Sequence, residues 1–183
     1  MRAQSVVTLD PIDRNNKRRS GVFGRFLKTR HYHGQGIKPT DPFGHYLFTG
    51  RQRSGKTVSC LWFYEHLKNK YERKGKTVIL YSNMGIGIPI FKMNLPAVIR
   101  DCKYDPDTVY IFVIDEIQSY FPKDTKDLAT LRLIDELTGE FSQLGKRQIY
   151  VLSTAQVYGR VNKNLREQCL YMVNCRKSKL TNH

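Results

Sequence analysis

Residues Gly50-Arg51-Gln52-Arg53-Ser54-Gly55-Lys56-Thr57 constrain this chain more than any other stretch. They fit G-x-x-x-x-G-K-[ST], a loop whose backbone N–H groups converge on a polyphosphate. Such a nest needs residues that tolerate unusual dihedrals, and Gly50 and Gly55 supply that freedom. Lys56 brings an ammonium to the β- and γ-phosphates, and Thr57 offers a hydroxyl to Mg²⁺. The flanks agree with the motif. His45-Tyr46-Leu47-Phe48-Thr49 reads as a strand. After the loop, Val58, Leu61, Trp62, Tyr64 and Leu67 recur at helical spacing, so a helix follows and aims its positive end at the same anions.

A second stretch completes the chemistry. Val109-Tyr110-Ile111-Phe112-Val113-Ile114 is apolar throughout, as a strand buried on both faces must be, and it ends in Asp115-Glu116. Ligand sites in open α/β sheets lie at the carboxyl ends of strands. Asp115 is therefore placed to hold Mg²⁺, and Glu116 to polarise an attacking water. Gln148 to Gln156 is a further buried strand with a polar tip. By the same rule Ser153, Thr154 and Gln156 are expected to face the γ-phosphate, on a strand lying between the two motif strands.

The remaining elements follow from periodicity and breakers. Arg73-Lys74-Gly75-Lys76 ends the first helix, with Gly75 suited to a left-handed cap. Thr77 to Asn83 reads as a second strand, and residues 84–89 as a loop. Asn94 is expected to cap a short helix, Leu95 to Lys103, with Pro96 in its first turn. Leu128, Leu131, Ile134, Leu137, Phe141 and Leu144 predict a helix over 125–144. Residues 157–167 read as loop then helix, and Cys169 to Cys175 as a last strand.

Charge separates the chain into two parts. The sequence carries 31 Lys plus Arg against 16 acids. Residues 1–40 hold nine of the basic groups and two Asp, so the leader is far denser in charge than the rest. A balance of this kind points to anionic partners, nucleic acid first and an anionic membrane surface second. We therefore divide the chain into a basic arm, residues 1–39, and a folded domain, residues 40–183. Within the arm, Ser5 to Leu9 is a candidate strand. Gly21 to Arg30 interleaves aromatics with Arg and Lys, a mix that suits nucleic acid or a neighbouring subunit. The four cysteines form no C-x-x-C pair, which reads as free thiols in a reduced compartment with no zinc site. There is no signal-peptide core and no apolar run long enough to span a membrane.

The order of these features resembles the additional-strand P-loop ATPases that carry a catalytic glutamate. Gly50 to Thr57 is shared by all P-loop proteins, and Ile114-Asp115-Glu116 narrows the likeness to the glutamate branch. Ile149 to Gln156 resembles the FtsK/HerA superfamily of DNA-pumping motors, which includes small viral genome-packaging ATPases. The corresponding strand in that superfamily typically ends Thr-Gln. Here Ala155 separates Thr154 from Gln156, so either Gln156 is the sensor amide displaced by one residue or Thr154 serves instead. Arg51 and Arg53 also stand where these motors often carry smaller residues.

The resemblance, which covers about residues 40–176, implies a RecA-like α/β fold with a mostly parallel sheet flanked by helices. It implies ATP and Mg²⁺ as cofactors and a ring, often a hexamer, in which an arginine finger reaches the neighbour's nucleotide. Arg147 and Arg160 are the candidates for that finger. The implied partner is DNA, taken as duplex and held without sequence preference, together with a capsid or membrane-associated docking partner. The implied location is the virion or host cytoplasm. A second family is similar in skeleton: the zonula-occludens-toxin-like ATPases that assemble filamentous phage. These normally carry a transmembrane segment after the ATPase domain, and the sequence reaches His183 without one, which favours the packaging motor. A small-molecule kinase ranks last, because an Asp-Glu strand tip suits water activation better.

Overall fold

The computed structural model describes residues 5–11, as backbone, and residues 42–177. Seven strands form one sheet: β1 (Ser5–Pro11), β2 (Gly44–Thr49), β3 (Thr77–Ser82), β4 (Ile88–Pro89), β5 (Thr108–Ile114), β6 (Ile149–Ala155) and β7 (Cys169–Lys177). Their order is β1-β7-β2-β6-β5-β3-β4. Strands β2 to β7 pair in parallel throughout, and β1 closes one edge antiparallel to β7. The helices are α1 (Lys56–Glu72), α2 (Leu95–Asp101), α3 (Ile117–Tyr120), α4 (Leu128–Phe141) and α5 (Lys163–Glu167). The chain thus has an α/β P-loop NTPase fold, and β6 lies between the phosphate-loop strand β2 and the acidic strand β5, as the sequence predicts.

The unbroken apolar runs are explained by two cores, one on each face of the sheet. Strand side chains alternate between faces. Tyr46, Phe48, Val109, Ile111, Val113, Tyr150 and Leu152 pack with Phe63 and Leu67 of α1. Leu47, Phe112, Ile114, Ile149 and Val151 pack on the other face with Ile99 of α2 and with Ile134 and Leu137 of α4. A strand covered on both sides needs apolar residues at every position. Full burial of one such side chain contributes about 1.5–3 kcal/mol, so these strands hold the site's base rigidly.

Several local expectations are corrected. Residues 84–89 are not wholly loop: Ile88–Pro89 adds a short edge strand, where a proline that cannot donate is tolerated. Asn94 occupies the cap position of α2 but its carboxamide oxygen accepts from the Phe91 N–H, outside the helix. The long helix begins at Leu128, where Asp127 accepts from the Ala129 and Thr130 N–H groups, and ends at Phe141 before a short 3₁₀ turn, Leu144–Arg147. Gly75 is left-handed, φ 74°, as expected. The candidate strand in the leader extends to Pro11 and pairs along β7, with Val7 opposite Cys175. Residues 5–11 of the leader therefore form an edge strand of the same sheet. The basic aromatic stretch, Gly21 to Arg30, lies outside the described residues.

Candidate active site

The phosphate loop leaves β2 at Thr49 and enters α1 at Lys56. Gly50 has φ 153°, and a Cβ there would stand 2.3 Å from the Cys175 carbonyl oxygen and 2.6 Å from Ser54 Oγ. The first glycine is thus fixed by the close approach of β7 as well as by its dihedral. Gly55 caps α1 in the left-handed region, φ 85°. Arg53 is also left-handed, φ 59°, an unusual state for a residue with a side chain. Arg51, Gln52 and Arg53 are exposed, so the bulk of the two arginines is carried outward. Lys56 Nζ donates to the Arg51 carbonyl at 3.1 Å and braces the loop from its far end. Ser54 Oγ is buried without a hydrogen-bond partner, the kind of group a phosphate oxygen would satisfy.

The acids sit where β5 ends. Thr57 Oγ1 donates to Asp115 Oδ1 at 3.0 Å, which brings the loop and the acidic strand together across 58 residues of sequence. Thr154 Oγ1 donates to the same oxygen at 2.7 Å and accepts from the Glu116 N–H at 2.9 Å. Gln156 Nε2 donates to Glu116 Oε1 at 3.3 Å. Glu116 is exposed and left-handed, φ 52°. A left-handed glutamate is costly, and such strain persists where neighbours over-determine the backbone. Here Thr154 does so from below. Thr57 and Asp115 present a hydroxyl and a carboxylate to one point, the oxygen donors that a hard divalent cation takes. With Ser54, the loop backbone and Lys56, the residues present fit a Mg²⁺–nucleoside triphosphate.

The tip of β6 settles which of its polar residues reach this point. Ser153 does not: it is fully buried and shares a 2.6 Å hydrogen bond with His45 Nε2, on the opposite side of the strand. Thr154 is fully buried too, so it supports the two acids and offers no surface to a nucleotide. Gln156, two residues on and partly exposed, carries its amide to the Glu116 carboxylate. Of the two sensor candidates, Gln156 is the one placed at the rim.

The two arginine candidates part company. Arg147 lies in the turn before β6, at the amino end of the strands and so at the far end of the sheet from the site. Its Nη1 donates to Glu140 Oε2 at 2.7 Å and to the Ile99 carbonyl at 3.3 Å, and it is committed to joining α4 and α2. The structure does not bring it to the site. Arg160 follows the carboxyl end of β6 in a 3₁₀ turn, Tyr158–Arg160, and is exposed. One residue was missed by sequence reasoning. Asn83, just past the end of β3, donates to the Asp115 carbonyl at 3.0 Å and accepts from the Asp115 N–H at 2.9 Å. Its signal was available: a carboxamide at the carboxyl end of the strand that neighbours β5.

No family model and no curated protein matches this sequence. Solved structures do match in fold. The N-terminal domain of zonular occludens toxin from Neisseria meningitidis superposes with a TM-score of 0.53 at 18% identity, covering 77% of this chain and 81% of that one. A chain of the E. coli MS115-1 HORMA:CdnC:Trip13 complex gives 0.55 at 10% identity, covering 73% and 48%. C. elegans PCH-2 gives 0.51 at 17% identity, covering 73% and 36%. This chain therefore spans half or less of the last two, and most of the first. At these identities the likeness is one of fold. Among the described residues, no helix is long and apolar enough to cross a membrane.

Proposed function

We propose that the chain is an ATPase that couples hydrolysis to the movement of DNA, most simply as a genome-packaging motor subunit. The single observation behind the hydrolytic half is the double hold on Glu116. Thr154 fixes its backbone and Gln156 its carboxylate, beside the loop that would present the γ-phosphate. In this reading Glu116 accepts the proton of the attacking water as the water oxygen joins the γ-phosphorus. The bond to the bridging β-phosphate oxygen breaks, leaving ADP and phosphate. Lys56 and the loop amides balance the charge on the phosphates. Thr57 and Asp115 would hold Mg²⁺, which neutralises charge on the same oxygens. Arg160 is the residue we assign as the finger reaching a neighbouring subunit. The DNA half rests on the net charge of +15, which favours a polyanionic track.

A second reading has its own support. The match to the zonular occludens toxin domain is nearly co-extensive, 77% of this chain against 81% of that one, whereas the other two neighbours are much longer than the matched region. That favours an assembly or secretion ATPase acting on protein. The ATPase rate with and without DNA, at low and moderate salt, separates the two. Stimulation by DNA that fades with salt supports the motor. A rate indifferent to DNA at every salt concentration overturns it and leaves the assembly reading. Hydrolysis unchanged in Lys56→Ala would overturn both.

A further inference from the structure

The helix that starts at the phosphate loop turns an unusual face to solvent. Its inner side buries Cys60, Phe63, Tyr64, Leu67 and Tyr71 against the sheet. On its outer side Trp62 is 44% exposed, although an indole is among the side chains that gain most from burial. Trp62 stacks on His66, with ring centroids 5.9 Å apart and planes at 14°. Asn69, Lys70, Arg73 and Lys74 continue along the same face, and together with Trp62, Glu65 and His66 they line a concavity of about 580 Å³. Glu65 is the one acid in that lining. Lys70, Lys74 and Lys76 crowd the Tyr71 ring with ammonium groups 5.5, 5.8 and 5.9 Å from its centroid. Arg73 and Lys74 are exposed, and among the described residues neither is ion-paired.

We propose that this outer face of α1 binds single-stranded nucleic acid, an unpaired base stacking on Trp62 while Lys70, Arg73 and Lys74 meet the phosphates. The charge excludes a basic occupant, such as the chain's own leader, and favours a polyanion. The indole decides between polyanions. Bases in a duplex are already stacked on one another and present only their edges and phosphates, so an exposed tryptophan gains little from them. An unpaired base offers a free π-face, and aromatic stacking is how sequence-tolerant single-strand sites add affinity to a basic track. Trp62 to Arg73 spans roughly 16 Å of helix, long enough to follow a strand rather than a single phosphate. The site narrows the DNA of the proposed motor to single strands, where the family resemblance implies duplex. It rests on that reading for its biological role only, because binding here needs no nucleotide.

Trp62 is the only tryptophan in the chain, so its emission reports the site directly. The full chain, without nucleotide, would be titrated with oligo(dT), with a duplex of equal length and with phosphatidylserine vesicles. Oligo(dT) should quench the emission and bind more tightly than duplex. By anisotropy of labelled oligo(dT), Trp62→Ala should weaken binding roughly tenfold and leave the salt slope unchanged. The double variant Arg73→Ala/Lys74→Ala should keep the quench at saturation and flatten the slope of log K against log salt by roughly 1.4, at about 0.7 for each single-strand phosphate contact. All three side chains are exposed, so unchanged melting checks that the variants fold. Quenching by vesicles and not by oligo(dT) would mark a membrane face and overturn the proposal. Equal affinity for duplex with no quench, or unaltered affinity in both variants, would overturn it as well. None of these titrations measures ATP hydrolysis, whose own test is Lys56→Ala, so either reading can fail alone.

Discussion

Two polar clusters meet on neighbouring residues of β6, and their fates differ. Thr154 belongs to a chain of hydrogen bonds that runs outward through Asp115, Thr57, Glu116 and Gln156 to solvent. Ser153 belongs to a sealed cluster: His45 Nε2 at 2.6 Å, and beyond it Cys169 Sγ, 3.1 Å from His45 Nδ1. His45 is fully buried, and the Phe141 ring covers it edge-on at 4.8 Å. A serine, a histidine and a thiol in sequence resemble a nucleophilic relay. Yet burial raises the Cys169 thiol far above its usual range, and nothing reaches the histidine from outside. The lesson is that polar chemistry inside a sheet is read from where its chain of bonds ends. The first cluster ends at an exposed carboxylate and can act on a ligand. The second ends in the core and ties β2, β6 and β7 together.

The largest effect expected from this contrast is at Glu116. Glu116→Gln keeps the size and the bond to Gln156 but cannot accept a proton, so kcat should fall roughly 10²- to 10⁴-fold. Nucleotide affinity and melting temperature should hold, checked with a fluorescent ATP analogue and by calorimetry. Hydrolysis near the wild-type rate would show that the outward chain does not end in a base.

The next comparison sets Thr154→Val against Ser153→Ala. Each leaves a buried polar partner unsatisfied, which costs about 1–3 kcal/mol. Urea midpoints should therefore fall in both. Only Thr154→Val should also lower kcat per folded molecule, because it frees the Glu116 backbone and one bond to Asp115. A loss of kcat in Ser153→Ala would erase the distinction between the clusters.

The two clusters also show what a sequence can and cannot disclose. The phosphate loop and Asp115-Glu116 were legible because their chemistry is local: spacing, glycines and a strand that ends in acids. The strands were legible because double-sided burial forces unbroken apolar runs. Ser153 was misassigned because the carboxyl-end rule locates a strand's tip and not the face each side chain takes. Its partner His45 lies 108 residues away, and no local pattern links them. Arg147 shows a related limit: a basic residue just past a predicted helix looks free in sequence, and only the fold shows its ion pair with Glu140. Strand β4 is two residues long and contains a proline, so it carries no periodicity to find.

A further effect, centred on the sealed cluster, comes from pH. Burial lowers the His45 pKa to about 3, from 6.5. The unfolded chain therefore binds a proton more readily than the folded one across that interval. His45 stability is complete above pH 6.5 and is lost as pH falls from 6.5 toward 3, by about 1.4 kcal/mol per unit. His66, lowered by its own burial and then by Lys70, adds to the same slope, so the measurement belongs in His66→Gln. The window from pH 6.5 to 5 precedes most carboxylate protonation. A flat stability profile there would mean that the cluster opens to water.

The smallest effect tests the last link of the outward chain. Gln156 Nε2 meets Glu116 Oε1 at 3.3 Å, a long bond on a partly exposed side chain. Such a bond to a charged group near solvent is worth about 1 kcal/mol, so Gln156→Ala should lower kcat only about fivefold. The split between kcat and KM carries the information. If Gln156 only orients Glu116, kcat falls while KM for ATP stays put. If the amide touches the γ-phosphate itself, ADP affinity is unchanged while affinity for a non-hydrolysable ATP analogue drops. Gln156→Glu should be worse than alanine in either case, since it sets a second carboxylate against the first. A variant indistinguishable from wild type in kcat, KM and analogue binding would end the outward chain at Glu116 and leave the β6 tip with a structural task alone.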